Sequence, residues 1–189
     1  MTDPIRTVLI VSSTRQGRLG PTIADWVFAE ARQRDDLDVE VVDLAEAMLP
    51  ATLTNEPDES VQRFAATIDA ADAFIVVVPE YNHGYPAPLK QAIDWLYAEW
   101  AAKPVALVTY GGISGGLRAG EQLRQVFAEV HAVVVRDTVS FHGAGSSFEA
   151  DGTPKDLGTV RQATAVLFDR LAWWGRGLRE ARTSRPYAA

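Results

Sequence analysis

The sequence contains no cysteine among its 189 residues. This absence excludes disulfides, thiolate nucleophiles, Cys-ligated zinc and iron–sulfur clusters, and it is compatible with the reducing cytoplasm, where we expect the protein to work. Histidine is scarce as well, with three residues. Glu80 and His83 lie close together in the sequence, but no third ligand accompanies them, so we expect no metal site.

Long apolar runs and basic stretches are also missing. No segment is apolar over the length of a bilayer, and no charged stretch followed by an apolar one opens the chain, so we expect neither a membrane span nor a signal peptide. The formal net charge of −7 argues against a nucleic-acid-binding face. The P-loop and the G-x-G-x-x-G fingerprint of dinucleotide-binding proteins are absent too.

What the sequence does contain is a regular alternation of apolar runs and helical stripes, which is typical of a parallel α/β sheet. With 47% hydrophobic residues, the chain can fill a core of its own, and we predict one domain over residues 1–189. Strands are predicted near 6–12, 38–43, 73–78, 104–110 and 132–139, and helices near 21–34, 58–71, 86–99, 116–129 and 159–178. These elements predict a three-layer, doubly wound, five-stranded sheet, in which ligands bind beyond the carboxyl ends of the strands.

The loop after the first predicted strand has the chemistry of an anion site. It reads Ser12-Ser13-Thr14-Arg15-Gln16-Gly17-Arg18 and leads directly into a helix. Its hydroxyls, its two arginines and the free N–H groups at the helix start all suit a phosphate. The alternative is an ordinary turn with solvated arginines, but an arginine pair stands out in an acidic chain.

Two further loops follow the third and fourth predicted strands. Residues 79–88 combine aromatic, amide, carboxylate and imidazole groups on a backbone with three prolines, which suits recognition of a flat heterocycle. Residues 110–116 carry four glycines, which permit close approach of the backbone to a ligand. Structural turns are the alternative for each loop. Because all three loops leave a parallel sheet at one edge, together they predict a site for a mononucleotide such as FMN.

The glycine loop also matches G-x-S-x-G at Gly112–Gly116, the motif of a serine hydrolase. Ser114 would then need an acid and a histidine from later in the chain. The candidates are His131, His142, Glu121, Glu129 and Asp137. Both glutamates fall on a predicted helix, Asp137 lies only a few residues before His142, and His131 opens the last strand at the opposite edge. A small serine hydrolase is therefore the alternative function, and a non-catalytic FMN-binding module is another.

The three loops together resemble those of the NADPH-dependent FMN reductase family. The matching segments are Ser13-Thr14-Arg15-x-x-Arg18, Pro79-Glu80-Tyr81-Asn82-His83-Gly84, Leu89-Lys90-Gln91-Ala92-Ile93-Asp94-Trp95-Leu96 and Gly111-Gly112-x-Ser114-Gly115-Gly116. The resemblance departs at Ser12, where the family commonly has glycine. It implies a flavodoxin-like fold with strand order 2-1-3-4-5. It also implies an NAD(P)H-dependent oxidoreductase that transfers hydride to bound FMN and then to a quinone, an azo compound, a metal oxyanion or free flavin.

The resemblance also implies which residues contact FMN. The phosphate would be held by Ser13, Arg15, Arg18 and Thr22, with Gly20 in the same segment. The isoalloxazine would be bordered by Pro79, Glu80, Tyr81, Asn82, His83 and Gly84, and its pyrimidine end by Tyr110, Gly111, Gly112, Ser114 and Gly115. No side chain would be an obligatory catalyst, because flavin N5 carries the chemistry and NADPH or NADH is the co-substrate. A homodimer or homotetramer would form through the helix near 86–100, whose aromatics surround more of it than one core stripe needs.

Overall fold

A five-stranded parallel sheet forms the centre of the structure, of which our computed structural model describes residues 3–188; residues 1, 2 and 189, at the ends of the predicted domain, lie outside this range. The strands are β1 Ile5–Val11, β2 Leu37–Asp43, β3 Ala73–Pro79, β4 Pro104–Tyr110 and β5 Val133–Phe141. They are hydrogen-bonded in the order β2-β1-β3-β4-β5, and each adjacent pair is parallel. The predicted flavodoxin-like order is confirmed.

Helices cover both faces of the sheet. They are α1 Gly20–Ala31, α2 Glu59–Ala70, α3 Ala87–Asp94, α4 Leu117–Glu129 and α5 Leu157–Ser184, with short 3-10 turns at Ala98–Trp100 and Ala144–Ser146. One core lies between the sheet and α1 and α5, and a second lies between the sheet and α2, α3 and α4. Because β3 and β4 contact both cores, all of their residues are buried, as their continuous apolar sequences predict.

The predicted helix over 86–99 is too long, since α3 ends at Asp94 and a 3-10 turn follows. Trp100 decides this break, because its fully buried ring packs against Phe74 and Phe127. Its indole N–H donates to the carbonyl of Ile93 at the end of α3, at 3.3 Å. Trp100 is therefore explained by packing inside this chain, whereas Tyr97 is 48% exposed, and the oligomer stays a prediction.

Two other helix ends differ from prediction. The first helix ends at Ala31 rather than at residue 34, since Arg34 lies in the following turn and pairs with Asp36 at 2.8 Å. The last helix continues past residue 178 to Ser184. Its last turns are held by contacts with residues at one edge of the sheet, which are far from α5 in the sequence.

Those contacts form an ion cluster at the edge where the strands begin, which we call the amino edge. The buried carboxylate of Asp72 accepts hydrogen bonds from the backbone N–H of Arg6 and from the side chains of Arg179 and Arg182, at 3.1–3.2 Å. Nearby, the buried ammonium of Lys103 donates to two carbonyls at the end of α2. Burial lowers the pKa of Lys103 to about 8. The cluster pins α5 to the sheet.

Candidate functional site

The opposite edge, where the strands end, is the carboxyl edge, and the first loop begins there with two buried serines. The backbone N–H and the hydroxyl of Ser12 both donate to the carbonyl of Val77 on β3, at 3.1 and 2.8 Å. Serine is accommodated at position 12, where the family commonly has glycine, because its hydroxyl has this partner. The hydroxyl of Ser13, in contrast, has no hydrogen-bond partner within residues 3–188.

Ser13, Gly20 and Tyr110 form a small polar recess, which we call the cradle. The buried hydroxyl of Tyr110, like that of Ser13, lacks a partner in the described part of the chain. A Cβ on Gly20 would lie 2.3 Å from Ser13 Oγ and 3.1 Å from Tyr110 Oη, so only glycine fits there. Gly20 opens α1, and no side chain caps this helix start. Two donors without partners at an uncapped helix start are the chemistry of an anion site.

Burial also sets the protonation state of the cradle. Desolvation raises the pKa of Tyr110 to about 12, although the nearby Ser13 hydroxyl acts in the opposite direction. The phenol therefore keeps its proton at any pH near neutrality. It is available as a hydrogen-bond donor and has no role as a base.

The two arginines of the first loop are placed differently from each other. The guanidinium of Arg18 makes two bonds to the carboxylate of Asp43, at 2.5 and 2.6 Å, and one to the carbonyl of Ser13 at 2.6 Å. The bond to Asp43 raises the pKa of Arg18. Arg18 thus braces the loop, with its charge neutralised by Asp43. Arg15 is exposed and lies over the ring of Tyr81, 5.6 Å from its centroid, which brings the first and second loops together.

Thr22 lies in the first turn of α1 and is half-buried. Its methyl group would be 3.2 Å from a Cβ on Gly152. The loop around Gly152 therefore lies beside the first turn of α1.

The second loop is a tight two-residue turn. Tyr81 and Gly84 exchange backbone hydrogen bonds of 2.9 and 3.1 Å. Both central residues have positive φ, 49° at Asn82 and 75° at His83, as a type I′ turn requires. A residue other than glycine is strained in this conformation. The turn presents the exposed Asn82 and His83 at the carboxyl edge.

Glu80 joins the second loop to the third. Its carboxylate, 7% exposed, accepts from the backbone and side chain of Arg118 at the start of α4, at 3.1 and 3.0 Å. Burial raises the pKa of Glu80, but the hydroxyl of Ser114 and the bonds from Arg118 outweigh it, so the pKa lies below its ordinary value. A carboxylate held in this way fixes loop geometry and is not free to transfer a proton.

The glycines of the third loop permit a compact turn above β5. Gly115 and Gly116 have φ of 61° and 83°. A Cβ on Gly115 would lie 2.4 Å from the hydroxyl of Ser140, and one on Gly116 would lie 2.6 Å from the backbone nitrogen of Tyr110. At the tip of the loop, the side chain of Ile113 is 91% exposed. The predicted convergence of three loops at one edge is thus present in the structure.

The serine hydrolase arrangement is not assembled. His142 contacts the carbonyl of Ile113 at 3.1 Å and the hydroxyl of Ser140 at 3.3 Å. His131 lies at the amino edge between two tyrosine hydroxyls. Across residues 3–188, neither imidazole is hydrogen-bonded to Ser114 or to a carboxylate.

Two residues of the site could not be predicted from the sequence. Asp43, the partner of Arg18, comes from the end of β2, and Ser140, beneath Gly115, comes from β5. Neither belongs to a motif, and only the assembled sheet brings them to the loops. Over residues 3–188, no group of three or more metal-ligating side chains is found, and none of the helices is long and apolar enough to cross a membrane.

Comparisons with known proteins show the family to which the chain belongs. A family described as NADPH-dependent FMN reductase matches residues 5–146. An NAD(P)H-dependent FMN reductase of Schizosaccharomyces pombe is 39% identical over 132 residues, which are 64% of this chain and 64% of that protein. An NAD(P)H:quinone oxidoreductase of Solanum tuberosum is 36% identical over 113 residues, 57% of this chain and 58% of that protein. These matches span less than two thirds of either relative.

A solved structure extends the likeness to the fold. The flavoenzyme NAD(P)H:(acceptor) oxidoreductase of Paracoccus denitrificans superposes with a TM-score of 0.73 at 25% identity. The superposition covers 92% of this chain and 98% of that one. It therefore includes at least part of α5, which lies beyond the family match.

Proposed function

The chain belongs to the NADPH-dependent FMN reductase family, and we propose that it is an NAD(P)H-dependent oxidoreductase with FMN held at the carboxyl edge. The observation that carries this proposal is the cradle. Two buried hydroxyls without partners, beside a glycine that leaves no room for a side chain, fit the phosphate of a mononucleotide. FMN, when bound, supplies the ring that accepts a hydride and passes electrons on.

In this proposal the chain binds and orients, and none of its side chains transfers a proton. Ser13 and the start of α1 hold the phosphate, Tyr110 lies beside Ser13, and Arg18 keeps the first loop in place through Asp43. The turn at Tyr81–Gly84 and the segment Tyr110–Gly115 border the flat ring. A general acid or base is not required, which agrees with Glu80 being held by Arg118.

For the acceptor we propose a quinone, with azo compounds, metal oxyanions and free flavin as the other predicted acceptors. Ile113 and Leu117, 91% and 48% exposed, offer apolar surface beside the third loop, which suits an apolar planar acceptor. The relative from Solanum tuberosum is named for quinone reduction. Arg118 is engaged with Glu80 and Arg124 with carbonyls of β5, so neither is placed to select the 2′-phosphate of NADPH over NADH.

The remaining features of the proposal are predictions from sequence. They are a single FMN-binding domain, a homodimer or homotetramer, work in the cytoplasm, and no nucleic-acid or membrane partner.

The test is a visible absorbance spectrum after addition of FMN and desalting. We expect a retained flavin spectrum that bleaches with NADPH or NADH and recovers with benzoquinone. Ser114→Ala should still retain flavin that NADPH or NADH bleaches, whereas a serine hydrolase would lose nearly all esterase activity in this variant. Retained flavin that neither nucleotide bleaches would identify a binding module instead. Absence of retained flavin would contradict the proposed function.

A further inference from the structure

The two hydroxyls of the cradle come from strands that are not neighbours. Ser13 follows β1 and Tyr110 ends β4, with β3 between them. Ser13 is 0% exposed and Tyr110 6% exposed, and both oxygens approach the same point beside Gly20. Because the Tyr110 ring is packed in the core against α1 and α5, the position of its oxygen is fixed.

Counting hydrogens shows that the cradle is incomplete by itself. Each hydroxyl has one hydrogen to donate. Within residues 3–188 the two hydroxyls are not hydrogen-bonded to each other. If Tyr110 turns to donate to Ser13 Oγ when a ligand binds, the serine hydrogen still needs an acceptor outside the pair. A buried donor without an acceptor is costly, and an anion at the uncapped start of α1 would remove this cost.

The two arginines of the first loop do not provide the acceptor that the serine hydrogen needs. They also do not replace the hydroxyls as the buried donors of the site. The charge of Arg18 is neutralised by Asp43, and Arg15 is exposed over Tyr81. The buried donors at the cradle are therefore the neutral hydroxyls.

We infer that Tyr110 is a positioning residue of the phosphate site, which acts by orienting the hydroxyl of Ser13 toward the phosphate of the mononucleotide. This inference rests on the proposed function. It assigns the Tyr110 side chain to the phosphate, whereas the family resemblance implies that this residue lies at the pyrimidine end of the flavin.

The experiment compares FMN with riboflavin, which has the same ring and no phosphate. Dissociation constants are measured by quenching of flavin fluorescence for the wild type and for Tyr110→Phe, which keeps the packed ring. We expect FMN to bind about three- to tenfold more weakly to the variant, the range for loss of one hydrogen bond. Riboflavin should bind to both equally. The matched control is Tyr97→Phe, which removes a hydroxyl that contacts His131 at the amino edge and should change neither constant.

A double-mutant cycle separates positioning from direct contact. In a Ser13→Ala background, Tyr110→Phe should have little further effect on FMN, because the hydroxyl it orients is gone. Equal effects in both backgrounds would overturn the positioning role. Equal weakening of FMN and riboflavin, or no weakening of either, would also overturn the inference. Failure of the wild type to bind either flavin would instead overturn the proposed function, and the inference with it.

Discussion

The two edges of the sheet both bury polar groups, but they satisfy them differently. At the amino edge, the carboxylate of Asp72 is bonded to Arg6, Arg179 and Arg182. At the carboxyl edge, the hydroxyls of Ser13 and Tyr110 have no partner within residues 3–188. A network that closes on itself contributes to stability, whereas an open one is satisfied by a ligand.

Backbone strain does not distinguish the two edges. Asn82 and His83 have positive φ at the carboxyl edge, but Ala102 and His131 have it at the amino edge, with φ of 54° and 59°. The hydroxyl of Thr164 and the Nε of Arg176, both on α5, also lack partners among the described residues, but each stands alone. Two unpartnered hydroxyls at one point are thus the better guide to function in this fold.

The largest effect should come from removing the central carboxylate of the ion cluster at the amino edge. Asp72→Ala leaves the side chains of Arg179 and Arg182 without their buried counter-charge, and we expect the free energy of unfolding to fall by about 3–5 kcal/mol. Urea denaturation measures this free energy, with Asp35→Ala, an exposed carboxylate, as the control. FMN affinity of the folded variant should be unchanged. Equal stability of the two variants would contradict the contrast between the edges.

The next effect comes from filling the cradle. Gly20→Ala places a Cβ 2.3 Å from Ser13 Oγ, and we expect FMN affinity to fall by about 10- to 100-fold, since overpacking costs about 1–3 kcal/mol. The control is Gly177→Ala on α5, where an added Cβ would meet nothing within 4 Å. Fluorescence titration measures both variants. Unchanged affinity in Gly20→Ala would place the phosphate elsewhere.

A smaller effect should appear at alkaline pH. The pKa of Lys103 is lowered from 10.5 to about 8 in the folded state. Between these values the unfolded lysine holds a proton that the folded one has lost, so this residue makes stability rise with pH. Lys103→Met should lose that rise, as seen by urea denaturation at a series of pH values from 7 to 10.5. The same slope in wild type and variant would contradict the assignment.

The smallest effect tests the strain that both edges share. His83→Gly relieves a positive φ, and we expect the free energy of unfolding to rise by about 0.5 kcal/mol. The relief of strain, about 1–2 kcal/mol, is partly offset by the larger conformational entropy that glycine loses on folding. Ala102→Gly at the amino edge should gain a similar amount. Thermal unfolding compares them. An increase in stability for only one of the two variants would contradict the statement that strain is similar at both edges.

Sequence reasoning succeeded where a signal is local. The apolar runs of β3 and β4 and the stripes of α2 and α4 follow from residues next to each other, so these elements were predicted closely. The third helix was predicted too long, because the burial of Trp100 against Phe74 and Phe127 depends on elements distant in sequence. The end of α5 was missed for the same reason, since Asp72 holds Arg179 and Arg182 there.

By itself, then, the sequence determined the order of the elements, the family and the three loops that meet at one edge. These follow from periodicity and from short motifs, whose effects act over a few residues. Only the tertiary structure decided that Arg18 is engaged with Asp43 and that the hydroxyl of Tyr110 lies beside Ser13. Hydrogen bonds and desolvation act between atoms a few ångströms apart, and in a parallel sheet such atoms come from strands that are far apart along the chain.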